Sequence, residues 1–256
     1  MILIDTHTHL YLPQFESDHK AMIERAEIEG IKRMMMPAID GSELNRLLSF
    51  EARYPQCMAM MGLHPCSVKE NYEEELRLVE DQLNTRHFVA IGETGLDFYW
   101  DLTFKEQQYH AFRWQIERAI ELDLPVVIHS RNSLDETIGV IGEYQGRAAR
   151  GIFHCFSGTE EHARRIIELG FYLGIGGVLT YKNSGLDVVL KDIALEHMVL
   201  ETDAPYLAPV PFRGKRNESG YLKYVAQKLA EVKGVSIEEV AAVTTSNAQK
   251  IFRFEV

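Results

Sequence analysis

Two histidines one residue apart, His7 and His9 in Asp5-Thr6-His7-Thr8-His9-Leu10, are the first side chains in this sequence suited to metal chemistry. On an extended segment side chains alternate with period two, so both imidazoles face one side and can ligate one ion. His64, Glu93, His129, His154 and Asp203 follow at wide intervals. A lone histidine is more often a satisfied core or surface residue than a ligand. Here several of the ten histidines share equivalent positions in a repeating pattern with two acids, which favours a metal centre. Nitrogen and carboxylate donors without thiolate suit Zn²⁺, Mn²⁺ or Co²⁺ and, more weakly, Mg²⁺.

The two acids offer different chemistry. Glu93 can bridge two ions through its two oxygens, which no imidazole can do. Asp203, in Glu201-Thr202-Asp203-Ala204-Pro205, can ligate an ion and accept a proton from water, although aspartate is also a frequent helix cap. Glu201 shares its strand face and is placed to support a ligand. Arg131, Arg213 and Arg216 can reach the same region, and arginine pairs bidentately with phosphate oxygens. Cys155 beside His154 reads as a small packing residue, and the methionine runs at 34–36 and 58–61 as core strands.

The elements that must position these groups alternate between short apolar runs and longer helical patterns, the signature of a parallel sheet with crossover helices. Strands are expected at 2–5, 32–37, 58–63, 88–91, 125–129, 151–154, 172–175 and 198–202. Helices are expected from Ser17 to Gly30 and over 40–54, 72–84, 104–122, 133–144, 159–169, 220–232 and 236–249. Eight such units in about 250 residues match a closed (β/α)8 TIM-type barrel, read as a single domain over 1–256. His7, His9, His64, Glu93, His129, His154 and Asp203 then fall at or just beyond strand ends, on the face where barrels carry active sites.

Composition narrows the class. No apolar run approaches the roughly 18 residues of a membrane span, and no secretory pattern opens the chain. Three scattered cysteines make no disulfide framework, so a cytoplasmic protein with reduced thiols is expected. A net charge of −11 excludes a broadly basic nucleic-acid surface but allows local phosphate binding.

Seven segments together resemble the TatD family of metal-dependent deoxyribonucleases, among the amidohydrolase-like barrels. They are residues 5–10, Gly62-Leu63-His64-Pro65, Gly92-Glu93-Thr94-Gly95-Leu96-Asp97, His129-Ser130-Arg131, Phe153-His154-Cys155-Phe156-Ser157-Gly158, 201–207 and Arg213-Gly214-Lys215-Arg216-Asn217-Glu218. They come in the family's order and span nearly the whole chain. The resemblance implies that His7, His9, Glu93, His129, His154 and Asp203 hold two divalent ions (Zn, Mg or Mn), with Glu93 bridging. Thr94 stands where the family more often has isoleucine, and Glu93 takes the place that related branches give to a carboxylated lysine. The implied activity is phosphodiester hydrolysis at a DNA end. Asp203 and Glu93 would be catalytic, with His64, Arg131, Arg213 and Arg216 on the substrate and no obligate protein partner. The alternatives are an amidohydrolase or lactonase using the same ions, and an idle barrel acting as a binding partner, against which the intact ligand set argues.

Overall fold

In the computed structural model, which describes residues 1–255, eight short parallel strands alternate with helices. The strands are β1 Leu3–Asp5, β2 Ile31–Pro37, β3 Cys57–Met60, β4 Ile91–Asp97, β5 Val126–Arg131, β6 Gly151–Phe153, β7 Tyr172–Ile175 and β8 Met198–Leu200. The helices are α1 His19–Ile28, α2 Leu44–Arg53, α3 Tyr72–Thr85, α4 Lys105–Glu121, α5 Leu134–Gly142, α6 Glu160–Glu168, α7 Leu186–Leu190, α8 Leu222–Lys233 and α9 Ile237–Phe252. Strands β1-β2-β3 form one ladder and β4 to β8 another. Hydrogen bonds span both gaps between them. Met61 donates to Ala90 (3.1 Å) and Gly92 to Met61 (3.0 Å) on one side, and Thr6 donates to Leu200 (3.0 Å) on the other. The architecture is the (β/α)8 barrel expected from the alternation.

Side-chain alternation divides the core in two. Ile4, Met35, Met60, Val127, Ile152 and Val199 form an inner cluster with Ala248, Ile251 and Phe252, from the end of α9. Their strand neighbours, such as Leu3, Met34, Ala59, Ile128 and Leu200, join the larger cluster that packs against the helices. This is the period-two division of a barrel strand. Continuing the inner positions by two residues toward the strands' C-terminal ends gives His129 from Val127, His154 from Ile152 and Glu201 from Val199. An apolar floor thus carries a polar ceiling.

Strand β4 departs from expectation. It begins at Ile91 and runs to Asp97, so Glu93 lies within it instead of beyond a strand at 88–91. Gly92 and Gly95 are strand residues here. Its register against β5 shifts between Ile91 and Thr94, an irregularity of the kind that re-aims a side chain. Gly95 has φ +143°, and a Cβ there would stand 2.0 Å from the His129 carbonyl oxygen. Thr94 buries its hydroxyl against Gln115 Nε2 (2.6 Å) from α4, while Gln115 Oε1 accepts the Leu63 amide (2.8 Å). Thr94 is therefore part of a brace between α4, β4 and the segment leading to His64. Helix α7 was not expected, being too short for a periodic signal. Asp18 and not Ser17 takes the N-cap position of α1, and its carboxylate makes no capping bond but pairs with Arg25 and Arg216.

The close approach of β4 and β5 at Gly95 gives a stability prediction. Gly95→Ala should cost about 1–3 kcal/mol, as forced overpacking does, and lower Tm by about 2–10 °C. Calorimetry returning an unchanged Tm would show that β5 can move away without cost.

Candidate metal centre

Backbone pairing delivers the ligand candidates to one place. After β1 the chain is stitched to its neighbours: Thr8 donates to Met35 (3.0 Å), His9 to Ala204 (2.7 Å) and Asp203 to the His7 carbonyl (2.9 Å). His7, His9 and Asp203 are thereby set side by side. Asp203 sits at φ +56° and Cys155, just after His154, at φ +50°. A left-handed non-glycine residue costs about 1–3 kcal/mol and persists where the surroundings over-determine it. At Asp203 the Tyr206 amide (2.8 Å) adds to the bond to His7.

The side chains meet around Glu93, which is buried. Its Oε2 lies 3.2 Å from His7 Nε2 and 3.6 Å from His9 Nε2. Asp203 Oδ1 lies 3.8 and 3.6 Å from the same two nitrogens, which are 3.3 Å apart. The other oxygen, Oε1, lies 2.9 Å from His129 Nδ1, 3.0 Å from His154 Nε2 and 3.4 Å from His64 Nε2. A tetrahedral ion with bonds of about 2.0–2.1 Å spaces its ligand atoms about 3.4 Å apart. The distances among His7, His9, Glu93 and Asp203 match that spacing, so the donor set fits a divalent cation.

Outer groups fix which ring nitrogen faces inward. Tyr11 spends its hydroxyl proton on the Pro37 carbonyl (2.7 Å), so its oxygen accepts from His9 Nδ1 at 3.3 Å and leaves Nε2 toward Glu93. Asp97 Oδ2 takes His129 Nε2 at 2.9 Å, turning Nδ1 inward. Glu201 Oε1 lies 3.3 Å from His154 Nδ1 and accepts the Cys155 amide (2.5 Å). Carboxylates behind imidazoles are the usual way of orienting metal-binding histidines. His64 differs: its Nδ1 accepts the Cys66 amide (3.0 Å), so Nε2 carries the proton and acts as a donor.

The electrostatics favour positive charge at the centre. Burial alone would raise the pKa of Glu93, but His154, His64 and His7 outweigh it and hold the carboxyl well below its ordinary value. Asp203 is also lowered, burial being overcome by the His9 hydrogen bond and nearby imidazoles. Burial depresses His7, with His154 adding to the effect. His9 is pushed up to about 9, because bonds to Asp203 and Glu93 overcome its desolvation. His154 rises well above its usual value despite burial, through Glu93 and Glu201. Asp97 is held low against burial by His129 and the Tyr99 and Trp100 amides. Two ionised acids drawing protons onto imidazoles form a cradle in which a divalent cation can replace those protons.

Asp97 and Asp5 were given no role in the sequence. Asp97 follows Glu93 by four residues on the same strand, and that even spacing was the available signal. Asp5 is fully buried and accepts from Thr202 Oγ1 and Ser219 Oγ, both at 2.6 Å, bracing the β1–β8 seam. Burial raises its pKa to about 7 against the opposing pull of Ser219 and Thr202.

The arginines separate into two kinds. Arg131 lies over the rings of Tyr99 (3.8 Å) and Trp100 (5.2 Å), and Arg213 over Tyr181 (4.5 Å). Among the described residues, neither forms an ion pair with a carboxylate. Arg216 instead makes two 2.7 Å bonds to Asp18 and one of 2.8 Å to the Gln14 carbonyl, so the structure commits its fork internally. A cleft of about 670 Å³ opens beside the centre, lined by Arg131, Asn132, His154 and Ser157 among others. Among the described residues no helix is long and apolar enough to cross a membrane.

A family model described as TatD related DNase matches residues 4–253. The uncharacterized metal-dependent hydrolase YabD of Bacillus subtilis is 40% identical over 253 residues, covering 98% of this chain and 99% of that protein. A 3′-5′ ssDNA/RNA exonuclease TatD of Cronobacter sakazakii is 32% identical over 257 residues, covering 98% and 97%. The crystal structure of YJJV, a TatD homolog from Escherichia coli, superposes with a TM-score of 0.93 at 30% identity, covering 99% and 98%.

The internal engagement of Arg216 is testable by pH. Asp18 has its pKa lowered to about 2 from 3.8, chiefly by Arg216. Its contribution is therefore present above about pH 4 and is lost as pH falls toward 2. Arg216→Ala should cost about 1 kcal/mol at pH 7, or about 2–4 °C in Tm, and the deficit should shrink between pH 4 and pH 2. A deficit independent of pH would contradict this pairing.

Proposed function

Because this chain belongs to the TatD-related DNase family of metal-dependent hydrolases, we propose that it cleaves phosphodiester bonds at the end of a DNA strand, with two divalent ions. The observation that carries this is the division of labour on Glu93, whose two oxygens face two separate histidine sets. His7, His9 and Asp203 would hold one ion, His129 and His154 the other, with Glu93 between. Divalent ions such as Zn²⁺, Mn²⁺ or Mg²⁺, when bound, increase the acidity of a water and offset the charge gathered on phosphoryl oxygens.

The chain's own groups do the rest. The Asp203 side chain is 16% exposed against 3% for Glu93, so Asp203 is the carboxylate that solvent reaches. It orients the attacking water and accepts its proton. His64 presents Nε2–H beside Glu93 and donates to a phosphate or leaving oxygen. Arg213 and Arg131, unpaired with acids, are suited to neighbouring phosphates. Nucleic acid as the substrate is supported by the relative named for ssDNA/RNA exonuclease activity. With few phosphate contacts on a protein of net charge −11, salt should weaken binding only modestly.

Elemental analysis and calorimetric titration should count about two divalent ions per chain, and Glu93→Gln should reduce that number. One tight site unaffected by Glu93→Gln would refute the bridging role. Asp203→Asn should keep the far-UV circular dichroism spectrum and lose about 10²-fold or more in kcat, the scale of a missing general base. Assays of DNA oligomers, lactones and amides on the same metal-loaded protein decide the substrate class. Turnover confined to a lactone or amide would make the chain a small-molecule hydrolase.

A further inference from the structure

Beside the centre, the segment after β4 holds two large aromatic side chains open to solvent. Tyr99 is 51% exposed and Trp100 68%, with ring centroids 4.8 Å apart in an edge-to-face arrangement. The Arg131 guanidinium carbon lies 3.8 Å from the Tyr99 ring centroid and 5.2 Å from that of Trp100. Isolated exposed apolar residues need no explanation, but two adjoining aromatic rings under a cation do.

This cluster is fastened to the centre by one side chain. Asp97 Oδ1 accepts the Tyr99 amide (2.9 Å) and the Trp100 amide (3.2 Å), while its Oδ2 takes His129 Nε2 (2.9 Å). Phe98 N–H donates to the Arg131 carbonyl (2.9 Å), and Asp97 stands opposite Arg131 in the β4–β5 register. The carboxylate that orients a ring of the centre therefore also sets the backbone of both aromatics.

We propose that Tyr99, Trp100 and Arg131 form a stacking platform for an unpaired nucleobase next to the phosphodiester being cut. The platform rests on the nucleic-acid substrate proposed above and specifies its form. Every base offers a π-face, so aromatic stacking binds single strands with little sequence preference, and arginine adds a cation–π contact and a charge for the backbone. In a duplex those faces are covered by neighbouring base pairs. The platform therefore favours unpaired strands over duplex, in keeping with the relative named for single-strand exonuclease activity.

The chain's two tryptophans are Trp100 and Trp114, so Trp114→Phe leaves Trp100 as the only indole. In this background, with Zn²⁺ bound, a phosphorothioate hexathymidylate should quench Trp100 emission, and an abasic phosphorothioate hexamer of equal charge should not. In cleavage of an ordinary hexathymidylate, Tyr99→Ala/Trp100→Ala should raise KM about tenfold or more, the scale of one lost base stack. The effect should fall mainly on KM and not on kcat. Trp100→Phe, which keeps a ring, should recover much of the loss. Cleavage by the wild type with no quenching and no change in KM would overturn the platform and leave the nuclease assignment standing. Quenching without cleavage would keep base stacking on Trp100 but overturn the nuclease assignment and with it the platform's place beside a bond being cut. Absence of both would overturn the two together.

Discussion

Glu93 is an ionised carboxylate buried at the barrel axis, and the surrounding structure is arranged around the cost of keeping it there. Removing such a group from water costs several kcal/mol unless neighbours compensate. Five imidazoles approach its two oxygens, from His7 and His9 on one side and His64, His129 and His154 on the other. Behind them stand Tyr11, Asp97 and Glu201, which bind or face the outer ring nitrogens of His9, His129 and His154. Charge alternates outward from the axis as acid, imidazole, acid. Such an arrangement holds ring orientation firmly and leaves a demand for positive charge at its middle, which protons or a metal ion can meet.

A ring of parallel strands satisfies that demand with little chain. The ligand candidates come from the ends of β1, β5 and β6, from within β4, and from beyond β8, each separated from the next by a helix. Parallel order points all those ends to one face. The apolar floor of Met35, Met60, Val127, Ile152 and Val199, closed below by α9, keeps the polar layer at a defined depth. The seam between β1 and β8 is the place where ring closure and chemistry coincide. Asp5 ties Thr202 and Ser219 there, within a few residues of His7 and Asp203. Disturbing the seam would therefore disturb both at once.

The sequence made the alternation of strands and helices legible because barrel strands and amphipathic crossover helices carry different periods. It also drew attention to His7, His9, His129, His154 and Asp203, which lie at or just beyond the ends of apolar runs. Glu93 was placed beyond a strand that instead begins at Ile91. The need for glycine at position 95 shows only in the close approach of β5 to β4. Asp97 offers only its even spacing from Glu93 as a sequence signal, because its partner, His129, lies on another strand. Arg216 looked like a free phosphate ligand because nothing local marks Asp18, 198 residues away, as its partner. Tertiary pairing, not propensity, decided each of these.

If the substrate is the polyanion proposed above, a protein of net charge −11 must gain its attraction at short range. Much of its cationic surface is already neutralised: Arg113 pairs with Glu143, Arg147 with Glu117, and Arg253 and Arg150 with Asp123. Screening over about 8 Å at physiological salt confines what remains to its immediate surroundings. Arg131 and Arg213 are different in kind, because aromatic rings rather than carboxylates support them. A cation over a ring keeps its full charge and stays available to phosphate, whereas a cation paired with an acid must first exchange partners. The acidic exterior then discourages nonspecific adhesion along a strand, and the proposed contacts of the mouth reward only a segment that reaches the metal centre. On the proposed function, selectivity for a strand end would follow from that contrast without any broad basic surface.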